Sequence, residues 1–360
     1  MRTSITGTGS YIPDTVRSNE DFAFVEFYND HRQPITSNVV EIIDKFEQIT
    51  GIAQRRYARD DMNTSDMAAL AAAAAIEDAG SDPETIDQLI VAHNFGDVPK
   101  DSCQSDAVPS LASRVKHLLR IRNPACVAYD LLFGCPGWLQ GLIQADAYIR
   151  SGLARKCLVI GAETLSRVID PYDRDSMIYS DGAGAVLLEA SRAGSSGPGM
   201  LGSVSQTHAL VESDYISLDQ SYCPSYCPPA GSNTRYLKME GRKVYEFALR
   251  TVPAAMKACL NACAVEIDQI KKIFIHQANE KMDAAIVKAF YRLFGRQEVP
   301  DGIMPMNIRQ LGNSSVATVP TLFDMVRKAV LPEHHLYPGD VLLFASVGAG
   351  MNINAVCYRF

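Results

Sequence analysis

The chain has 360 residues, 47% hydrophobic and 21% charged, a composition typical of a soluble globular protein with a substantial core. Its formal net charge of −7 and pI near 5.5 leave no basic stripe for phosphate backbones, so we expect no nucleic-acid partner. No secretory signal and no apolar run of the roughly 20 residues that a membrane helix needs are present. We therefore expect a cytoplasmic protein without a membrane span.

The first half of the chain alternates strands and helices. In chain order, the pattern predicts a strand and turn over Met1–Pro13, an alanine-rich buried helix over Met67–Ile76, a strand over Leu89–Ala92, a buried strand over Cys126–Leu132, a helix from Trp138 to about Ser151, and strands over Cys157–Gly161 and Gly182–Leu188. Continuous apolar strands between helices are typical of α/β layers around sheets covered on both faces.

The second half repeats this order. It carries an alanine-rich helix over Val252–Ala264, strands over Ile273–Ile275, Val341–Ala345 and Ile353–Tyr358, and a helix from about Val319 to Val330. Asp268 follows Asp87 by 181 positions in matching Ile-Asp-Gln segments, and Asn313 follows Cys135 by 178. Both offsets are close to half the chain length, so we predict two similar halves, 1–192 and 193–360, packed about a pseudo-twofold axis.

Cys135 lies in the turn Phe133-Gly134-Cys135-Pro136-Gly137, between a predicted strand and a predicted helix. A thiol at a helix N-terminus meets free backbone N–H groups and the positive end of the helix dipole, which lower its pKa towards the thiolate. The pattern predicts a nucleophile; a buried structural cysteine is the alternative.

The other cysteines carry no comparable pattern. The nine cysteines have no disulfide-framework spacing, which favours free thiols in a reducing compartment. Cys223 and Cys227 lie four apart, but no second Cys or His pair stands nearby at zinc-ligand spacing. We therefore predict a plain loop there and no metal.

Polar residues also end predicted elements in the second half. His276, Gln277 and Asn279 follow a predicted strand at its C-terminal end, where α/β folds place their sites. Asn313, the counterpart of Cys135 in the repeat, could donate from its amide or cap the next helix. A nucleophile, a histidine donor and an amide donor together form a coherent acyl-transfer site.

These residues carry a resemblance over most of the chain. The motifs are Gly7–Pro13, Thr50-Gly51-Ile52, the cysteine turn, Asp181–Ala185, His276–Asn279, Gly312–Pro320 and the glycine-rich C-terminus. They are similar to those of the β-ketoacyl-acyl-carrier-protein synthase III family, in the thiolase superfamily of condensing enzymes. The resemblance implies a thiolase-like fold layered α/β/α/β/α.

The resemblance also implies a reaction. Cys135 would take an acyl group from a thioester, with the backbone N–H groups of Cys135 and Ala349 forming the oxyanion hole. His276, kept neutral, and Asn313 would stabilise the enolate formed when a malonyl-type thioester loses carbon dioxide. It implies a homodimer that uses acyl thioesters on coenzyme A or acyl carrier protein, without another cofactor, in fatty-acid or specialised-metabolite synthesis.

Departures from the family pattern bear on the substrate. Pro136 and Trp138 change the usual residues after the cysteine, so Trp138 is a candidate wall of the acyl pocket or a core residue. The family's tryptophan and arginine before Thr-Gly-Ile, which clamp the coenzyme A adenine, are missing from 44–49, whereas Arg167 matches its other adenine-stacking arginine. This favours an acyl group delivered by a carrier protein.

Two further features concern partners and packing. Lys281 matches a family docking position for acidic carriers, with a plain surface charge as the alternative. Between Asn19 and Thr50 the chain is about a dozen residues longer than the family norm; this stretch is a lid, a dimer contact or an amphipathic packing element.

Alternative functions keep the same fold. One is a specialised ketosynthase that makes an alkylquinolone-type or dialkylresorcinol-type product from two acyl thioesters. Another is a non-catalytic partner subunit that shapes another enzyme's tunnel. A cysteine hydrolase fits less well, because Asn313 suits enolate stabilisation rather than activation of water.

Overall fold

A computed structural model of the chain describes residues 2–102, 104–191, 197–228, 231 and 233–360. The strands are β1 (Arg2–Tyr11), β2 (Thr15–Ser18), β3 (Gln54–Tyr57), β4 (Gln88–Ala92), β5 (Val127–Leu131), β6 (Lys156–Thr164), β7 (Asp181–Ser191), β8 (Gly199–Thr207), β9 (Ile216–Asp219), β10 (Tyr236–Met239), β11 (Ile270–Ile275), β12 (Val341–Gly348) and β13 (Asn352–Arg359). The α-helices are α1 (Val39–Thr50), α2 (Thr64–Asp78), α3 (Leu111–Leu118), α4 (Gly137–Arg150), α5 (Gly241–Cys263), α6 (Glu280–Arg292), α7 (Ile308–Leu311) and α8 (Thr318–Arg327).

Two mixed sheets have corresponding topologies. The first has the order β1-β7-β6-β4-β5, and the second has β8-β13-β12-β11. In each sheet the first two neighbouring pairs are antiparallel and the third is parallel, so β8, β13, β12 and β11 repeat β1, β7, β6 and β4. The half-chain repeat in the sequence is thus a repeat of sheet topology.

The helices form three layers around the two sheets. Apolar residues of α2 and α3 cover the outer face of the first sheet, and those of α5 and α6 cover the outer face of the second. Between the sheets lie α4 and α8, whose apolar side chains pack against both. The predicted α/β/α/β/α layering is therefore confirmed. Burial of continuous apolar strands on both faces explains why those strands do not alternate with polar residues.

Local signals position the helices next to the site. Asn279 caps α6 by accepting a hydrogen bond from the Met282 backbone N–H at 3.0 Å. Asn38 caps α1 by accepting from Val40 N–H at 3.0 Å, and α1 ends at Gly51 in a left-handed conformation. These caps set where α6 begins and where α1 begins and ends.

Strand β5 differs from the prediction. The sequence predicted a buried strand over Cys126–Leu132, but β5 is the edge strand of its sheet, and Val127 and Leu132 are 51% and 66% exposed. The prediction of burial is therefore wrong. The apolar run predicts burial, whereas its place at the edge of the sheet leaves part of it exposed.

The longer stretch between Asn19 and Thr50 packs as part of the fold. Phe22, Phe27 and Phe46 are buried together with Val168 and Ile178 in one apolar cluster. The Tyr28 backbone N–H donates to the Tyr172 carbonyl at 2.8 Å. Of the three interpretations of this stretch, the packing element describes these contacts.

Two further predictions concern a membrane span and the boundary between the two halves. In the described part of the chain, no helix combines the length and apolar character needed to cross a membrane. The predicted boundary between residues 192 and 193 lies outside the described residues, so the division of the chain at that point stays a prediction.

Candidate active site

Cys135 lies in the turn that joins β5 to α4, and Pro136 is the residue immediately before the helix. Gly134 has a φ of +65°, and a Cβ there would lie 2.7 Å from the Ala349 backbone nitrogen. Only glycine accommodates both the left-handed backbone and this approach. The turn therefore brings Cys135 against the glycine-rich segment after β12.

Gly348 makes the reciprocal approach. A Cβ on Gly348 would lie 2.5 Å from the Cys135 backbone nitrogen and 2.9 Å from the Cys135 Cβ. The backbones of the cysteine turn and of Gly348-Ala349 are thus in direct contact. The two N–H groups predicted to form an oxyanion hole belong to these adjoining turns.

Cys135 opens onto a cavity of about 200 Å³. Its lining is mostly apolar, with the predicted residues Cys135, His276, Asn313 and Ala349 among it; the other lining residues are Asn94, Phe95, Gly134, Leu165, Tyr179, Ile216, Ser217, Leu218, Leu237, Met239, Val244, Ala278, Met282, Ser315 and Val347. The four predicted residues come from four separate turns that only the pairing of the two halves brings together.

His276 follows β11 and is held by its own backbone N–H, which donates to the Ala345 carbonyl at 2.9 Å. The side chain is 5% exposed, and burial lowers its pKa to about 4. Removal from water disfavours the charged imidazolium, so the imidazole is neutral at pH 7. This agrees with the neutral histidine that the predicted donor role requires.

Asn313 lies just before the 3-10 turn Ser315–Ala317. Its backbone N–H donates to the Ile178 carbonyl at 2.9 Å, and its side-chain Oδ1 accepts from the Ser315 N–H at 2.8 Å. With Oδ1 engaged, the amide orientation is set and the Nδ2 hydrogens are left for donation. The interpretation of Asn313 as a helix cap is wrong, because neither this turn nor α8 has a side-chain cap hydrogen bond at its N-terminus; the donor role stays a prediction.

The other polar residues after β11 have structural roles. Gln277 is fully buried; its Oε1 accepts from the backbone N–H groups of Asn307 and Ile308 at 3.0 Å, and its Nε2 donates to the Pro305 carbonyl at 2.8 Å. It thereby ties the segment after β11 to the segment that leads to Asn313. Asn279 is engaged as a helix cap. Of His276, Gln277 and Asn279, only His276 lines the cavity at Cys135, hereafter the inner cavity.

The ionisation of Cys135 differs from the sequence prediction. Burial raises the pKa of its thiol to about 11, although the Ser315 hydroxyl and the backbone N–H of Cys135 itself act in the opposite direction. The predicted lowering is therefore wrong in direction, because removal of the sulfur from water outweighs these donors. The resting group is a thiol.

Three residues that sequence reasoning missed, Ser315, Asn94 and Glu163, form a row of hydrogen bonds that ends at this thiol. The Ser315 hydroxyl donates to the Cys135 Sγ at 3.3 Å, and the Asn94 Nδ2 donates to the Ser315 Oγ at 3.1 Å. Asn94 also donates to the Glu163 carboxyl. A signal was available, because Asn94 lies two positions after the end of strand β4 and corresponds by the half-chain repeat to the segment after His276.

Trp138 is the clearest correction among the predicted site residues. It is 1% exposed, packs edge-on against Phe344 at a centroid distance of 6.2 Å and belongs to the core between the two sheets. It is absent from the lining of the catalytic cavity. The proposed contact with substrate gives way to core packing, because Trp138 packs from α4 against Phe344 of strand β12.

Arg167 and Lys281 lie away from the thiol. The Arg167 guanidinium donates to the Asn63 side chain at 2.9 Å, to the Val98 carbonyl at 2.6 Å and to the carbonyls of Arg59 and Met62. It lines a separate cavity of about 340 Å³. Lys281 is exposed in the first turn of α6.

An outer cavity adjoins the catalytic one. It measures about 780 Å³ and shares four lining residues, Met239, Val244, Ala278 and Met282, with the inner cavity. Lys45, Arg174 and Arg242 line it together with Glu41, Asp175 and Glu246. The outer cavity, whose wall carries both basic and acidic side chains, therefore adjoins the apolar cavity at Cys135.

No group of three or more His, Cys, Asp or Glu side chains with metal-binding geometry occurs among the described residues. Cys223 is buried and Cys227 is exposed, and both are free thiols.

Comparisons with known proteins point to one family. A family model described as 3-Oxoacyl-[acyl-carrier-protein (ACP)] synthase III matches residues 129–209, and its C-terminal counterpart matches residues 260–360. The Beta-ketoacyl-[acyl-carrier-protein] synthase III of Erythrobacter litoralis (strain HTCC2594) is 31% identical over 362 residues, covering 100% of both chains.

Solved structures agree with this relationship. The 3-oxoacyl-[acyl-carrier-protein] synthase III of Aquifex aeolicus VF5 has 27% identity and a TM-score of 0.79, covering 99% of this chain and 100% of that one. The synthase III of Thermus thermophilus has 29% identity and a TM-score of 0.79, covering 99% of each. The chain belongs to the 3-oxoacyl-[acyl-carrier-protein] synthase III family, whose members are acyl-transferring condensing enzymes with the thiolase-like fold.

Proposed function

We propose that Cys135 carries the acyl group in a decarboxylative Claisen condensation, and that His276 and Asn313 stabilise the enolate of the second substrate. One observation supports this most directly: a single apolar cavity holds a thiol, a neutral imidazole and an oriented amide in its wall. An apolar wall accommodates an acyl chain, and the three polar groups have the chemistry that the two half-reactions need.

In the first half-reaction, the Cys135 sulfur attacks the carbonyl carbon of an acyl thioester. A bond forms between that carbon and the sulfur, the bond to the carrier sulfur breaks, and the departing thiolate takes up the proton lost from Cys135. The backbone N–H groups of Cys135 and Ala349 stabilise the negative oxygen of the tetrahedral intermediate. Because burial keeps the thiol protonated, proton loss accompanies attack.

In the second half-reaction, a malonyl-type thioester loses carbon dioxide, and the electron pair of the broken carbon–carbon bond passes into the thioester carbonyl. His276 and Asn313 donate hydrogen bonds to the resulting enolate oxygen. The carbanion attacks the acyl carbon on Cys135, the bond from that carbon to sulfur breaks, and the released thiolate takes up a proton from solvent water. The products are a β-ketoacyl thioester and carbon dioxide. Donors arranged before the charge develops accelerate such a step, typically by about 10²–10³-fold per donor.

We propose acyl carrier protein as the carrier that delivers the acyl group. Lys45 and Ile49 line the outer cavity, in the segment where the family's adenine clamp is missing. Arg167 lies in a different cavity, and its guanidinium edges are already engaged by four acceptors. Buried Phe27 and its neighbours fill space beside Val168. A pantetheine arm needs only the outer cavity, whereas a coenzyme A nucleotide also needs a clamp.

We also propose a homodimer. Among the described residues, no strand pairs with the outer edge of β5, and Val127 at the start of β5 and Leu132 just after its end are exposed. An unpaired apolar edge strand is a template for pairing with another chain. Sedimentation equilibrium would give twice the chain mass if the proposal holds and the chain mass if it fails.

Intact-protein mass spectrometry tests the central proposal. The protein is exposed to matched panels of acyl-carrier-protein and acyl-coenzyme A thioesters, and peptide mapping locates any adduct. We expect one acyl group per chain on Cys135, loaded faster from carrier protein. Cys135→Ala should abolish loading, whereas Cys227→Ala, at an exposed thiol away from the cavity, should retain it.

The same experiment addresses the non-catalytic alternative. Failure of Cys135 to load from every thioester would favour a subunit that only shapes another enzyme's tunnel. Loading with the adduct on another cysteine would overturn the assignment of the nucleophile.

A further inference from the structure

A buried carboxylic acid lies behind the nucleophile. Glu163 is fully buried at the C-terminal end of β6, the strand parallel to β4. One carboxyl oxygen accepts from the Asn94 amide, and the other, Oε2, is buried without a hydrogen-bond partner among the described residues. A buried oxygen without a hydrogen-bond partner lowers the stability of the folded chain, so the presence of this acid calls for an explanation.

Asn94 joins this acid to the thiol. Its Nδ2 group has two hydrogens, one directed at Glu163 and the other at the Ser315 Oγ, 3.1 Å away. Because the Ser315 oxygen accepts this hydrogen bond, the hydroxyl hydrogen is left to point at the Cys135 Sγ, 3.3 Å away. Because Glu163 accepts from Asn94, the Asn94 amide group is oriented to donate to Ser315, and Ser315 in turn is oriented to donate to Cys135.

Ser315 is held in an uncommon conformation for this contact. Its φ is +52°, in the left-handed region that non-glycine residues seldom adopt. Its backbone N–H donates to the Asn313 Oδ1 at 2.8 Å, and its carbonyl accepts from the Thr318 hydroxyl at 2.9 Å. Strained positions of this kind cluster at functional sites, where surrounding contacts maintain them.

We propose that Glu163 is a positioning residue which, through Asn94, keeps the Ser315 hydroxyl donating to Cys135 and so stabilises the thiolate during acyl transfer. This inference rests on the proposed role of Cys135 as the nucleophile. It assigns stabilisation of the Cys135 thiolate to Glu163, Asn94 and Ser315, whereas His276 and Asn313 are proposed to stabilise the enolate.

The charge state of Glu163 is consistent with this role. Burial raises the pKa of Glu163 to about 8, and Asp181 on the neighbouring strand adds to the rise. At pH 7 the carboxyl is therefore mostly neutral. A carboxylate there would oppose ionisation of Cys135, whose pKa it raises.

Other titratable groups near Glu163 and the Cys135 thiol lie on strands β4 and β7 and in the wall of the cavity. His93 at the end of β4 pairs with Asp130 at 3.0 Å, and Asp181 on β7 accepts from Ser166. From the cavity side, Tyr179 and His276 face Cys135, and burial raises the pKa of that tyrosine and lowers the pKa of that histidine. Near neutral pH neither of these two cavity groups changes charge.

The test is the rate of alkylation of Cys135 by iodoacetamide across roughly pH 6–10, which reports the fraction of thiolate. Peptide mass spectrometry follows Cys135, and exposed Cys227 in the same sample is the internal reference. We expect Ser315→Ala and Glu163→Leu each to slow alkylation of Cys135 about tenfold at neutral pH, because a hydrogen bond to a charged sulfur is lost. The double variant should be no slower than either single variant, since both remove the same contact.

Glu163→Gln is the conservative rescue, because its amide oxygen still accepts from Asn94. It should restore most of the wild-type rate at neutral pH. If Glu163→Leu unfolds, as judged by thermal melting, Asn94→Ala interrupts the same row and should show the tenfold loss. The inference is overturned if a folded Glu163→Leu or Asn94→Ala protein alkylates like wild type, or if Glu163→Gln is as slow as the variant that interrupts the row.

Failure of this inference can be told apart from failure of the proposed function. Alkylation uses no acyl substrate, so it measures the thiol alone. If Cys135 loads acyl groups but its alkylation profile is insensitive to Ser315 and Glu163, only the positioning role is wrong. If Cys135 never loads, the function fails whatever the profile.

Discussion

The Ser315 hydroxyl donates to the Cys135 sulfur at 3.3 Å, although 180 positions separate the two residues in the chain. That separation is half the chain length. Cys135 precedes α4 and Ser315 begins the 3-10 turn that leads into α8, the two helices packed side by side between the sheets. The contact across the pseudo-twofold axis therefore joins the proposed nucleophile from one half to the segment of the other half that carries Asn313.

Asn313→Asp should separate the two half-reactions. The substitution keeps an oxygen that accepts from Ser315 N–H and removes the amide donor, so we expect loading of Cys135 to persist and condensation to fall about 10²-fold. Loading is read by intact mass and condensation by release of carbon dioxide. Asn38→Asp, an exposed helix cap that keeps its bond to Val40, is the matched control and should condense at the wild-type rate. Undiminished decarboxylation in Asn313→Asp would remove Asn313 from the donor pair.

Gly348→Ala should disturb the contact between the two turns. The new methyl group would lie 2.5 Å from the Cys135 nitrogen, so backbone must shift. We expect a loss of about 1–3 kcal/mol in the free energy of unfolding, measured by urea denaturation, together with slower acyl loading. Gly182→Ala is the control, because its nearest atom would be 3.5 Å away, an ordinary contact. Equal loss in both variants would contradict the special closeness of Gly348 to Cys135.

The burial of His276 predicts a pH-dependent stability. Its pKa is about 4 in the folded chain against 6.5 for an ordinary histidine, so the unfolded chain binds more protons between these values. The stabilising contribution is full above pH 6.5 and is lost as the pH falls towards 4, by roughly 3 kcal/mol in all. His276→Gln should remove this slope from the unfolding free energy measured by denaturant titration at each pH.

The comparison with wild type separates the contribution of His276 from that of buried Glu163. Glu163 acts with the opposite sign: its pKa is raised from 4.5 to about 8, so its contribution is full below pH 4.5 and is lost as the pH rises through 8. This term is common to wild type and His276→Gln and cancels in their difference. His117→Gln, at an exposed histidine, should leave the pH profile unchanged. A difference curve that is flat between pH 4 and 6.5 would contradict the burial argument.

Lys281→Glu should weaken use of the carrier protein. An acidic carrier approaching the outer cavity would meet a reversed charge at the first turn of α6, so we expect KM for acyl carrier protein to rise about tenfold with little change in kcat, and the effect to shrink in high salt. Lys288→Glu makes the same change further along the same helix, where the side chain is also exposed. If both variants raise KM equally, the effect comes from net charge and not from a docking position at Lys281.

Sequence patterns alone predict the order of strands and helices, the half-chain repeat and the positions of Cys135, His276 and Asn313 at the ends of elements. These follow from apolar periodicity, from turn glycines and from motifs, all of which are local or repeated patterns. The same patterns could not separate neighbouring polar residues by role. Gln277 and Asn279 follow the same predicted strand as His276. In the structure, however, Gln277 accepts a hydrogen bond from Asn307, 30 positions away, and Asn279 accepts one from Met282 at the start of α6.

Burial and contacts between residues far apart in the chain become visible in the folded structure and not in local sequence patterns. The folded structure reversed the predicted ionisation of Cys135, because desolvation acts against the helix N-terminus, and it placed Trp138 in the core and β5 at an open edge. It also brought Glu163 to Asn94 across 69 positions and Asn94 to Ser315 across 221. Neither separation leaves a periodic signal in the chain, because these contacts arise where parallel strands end side by side and the two halves meet.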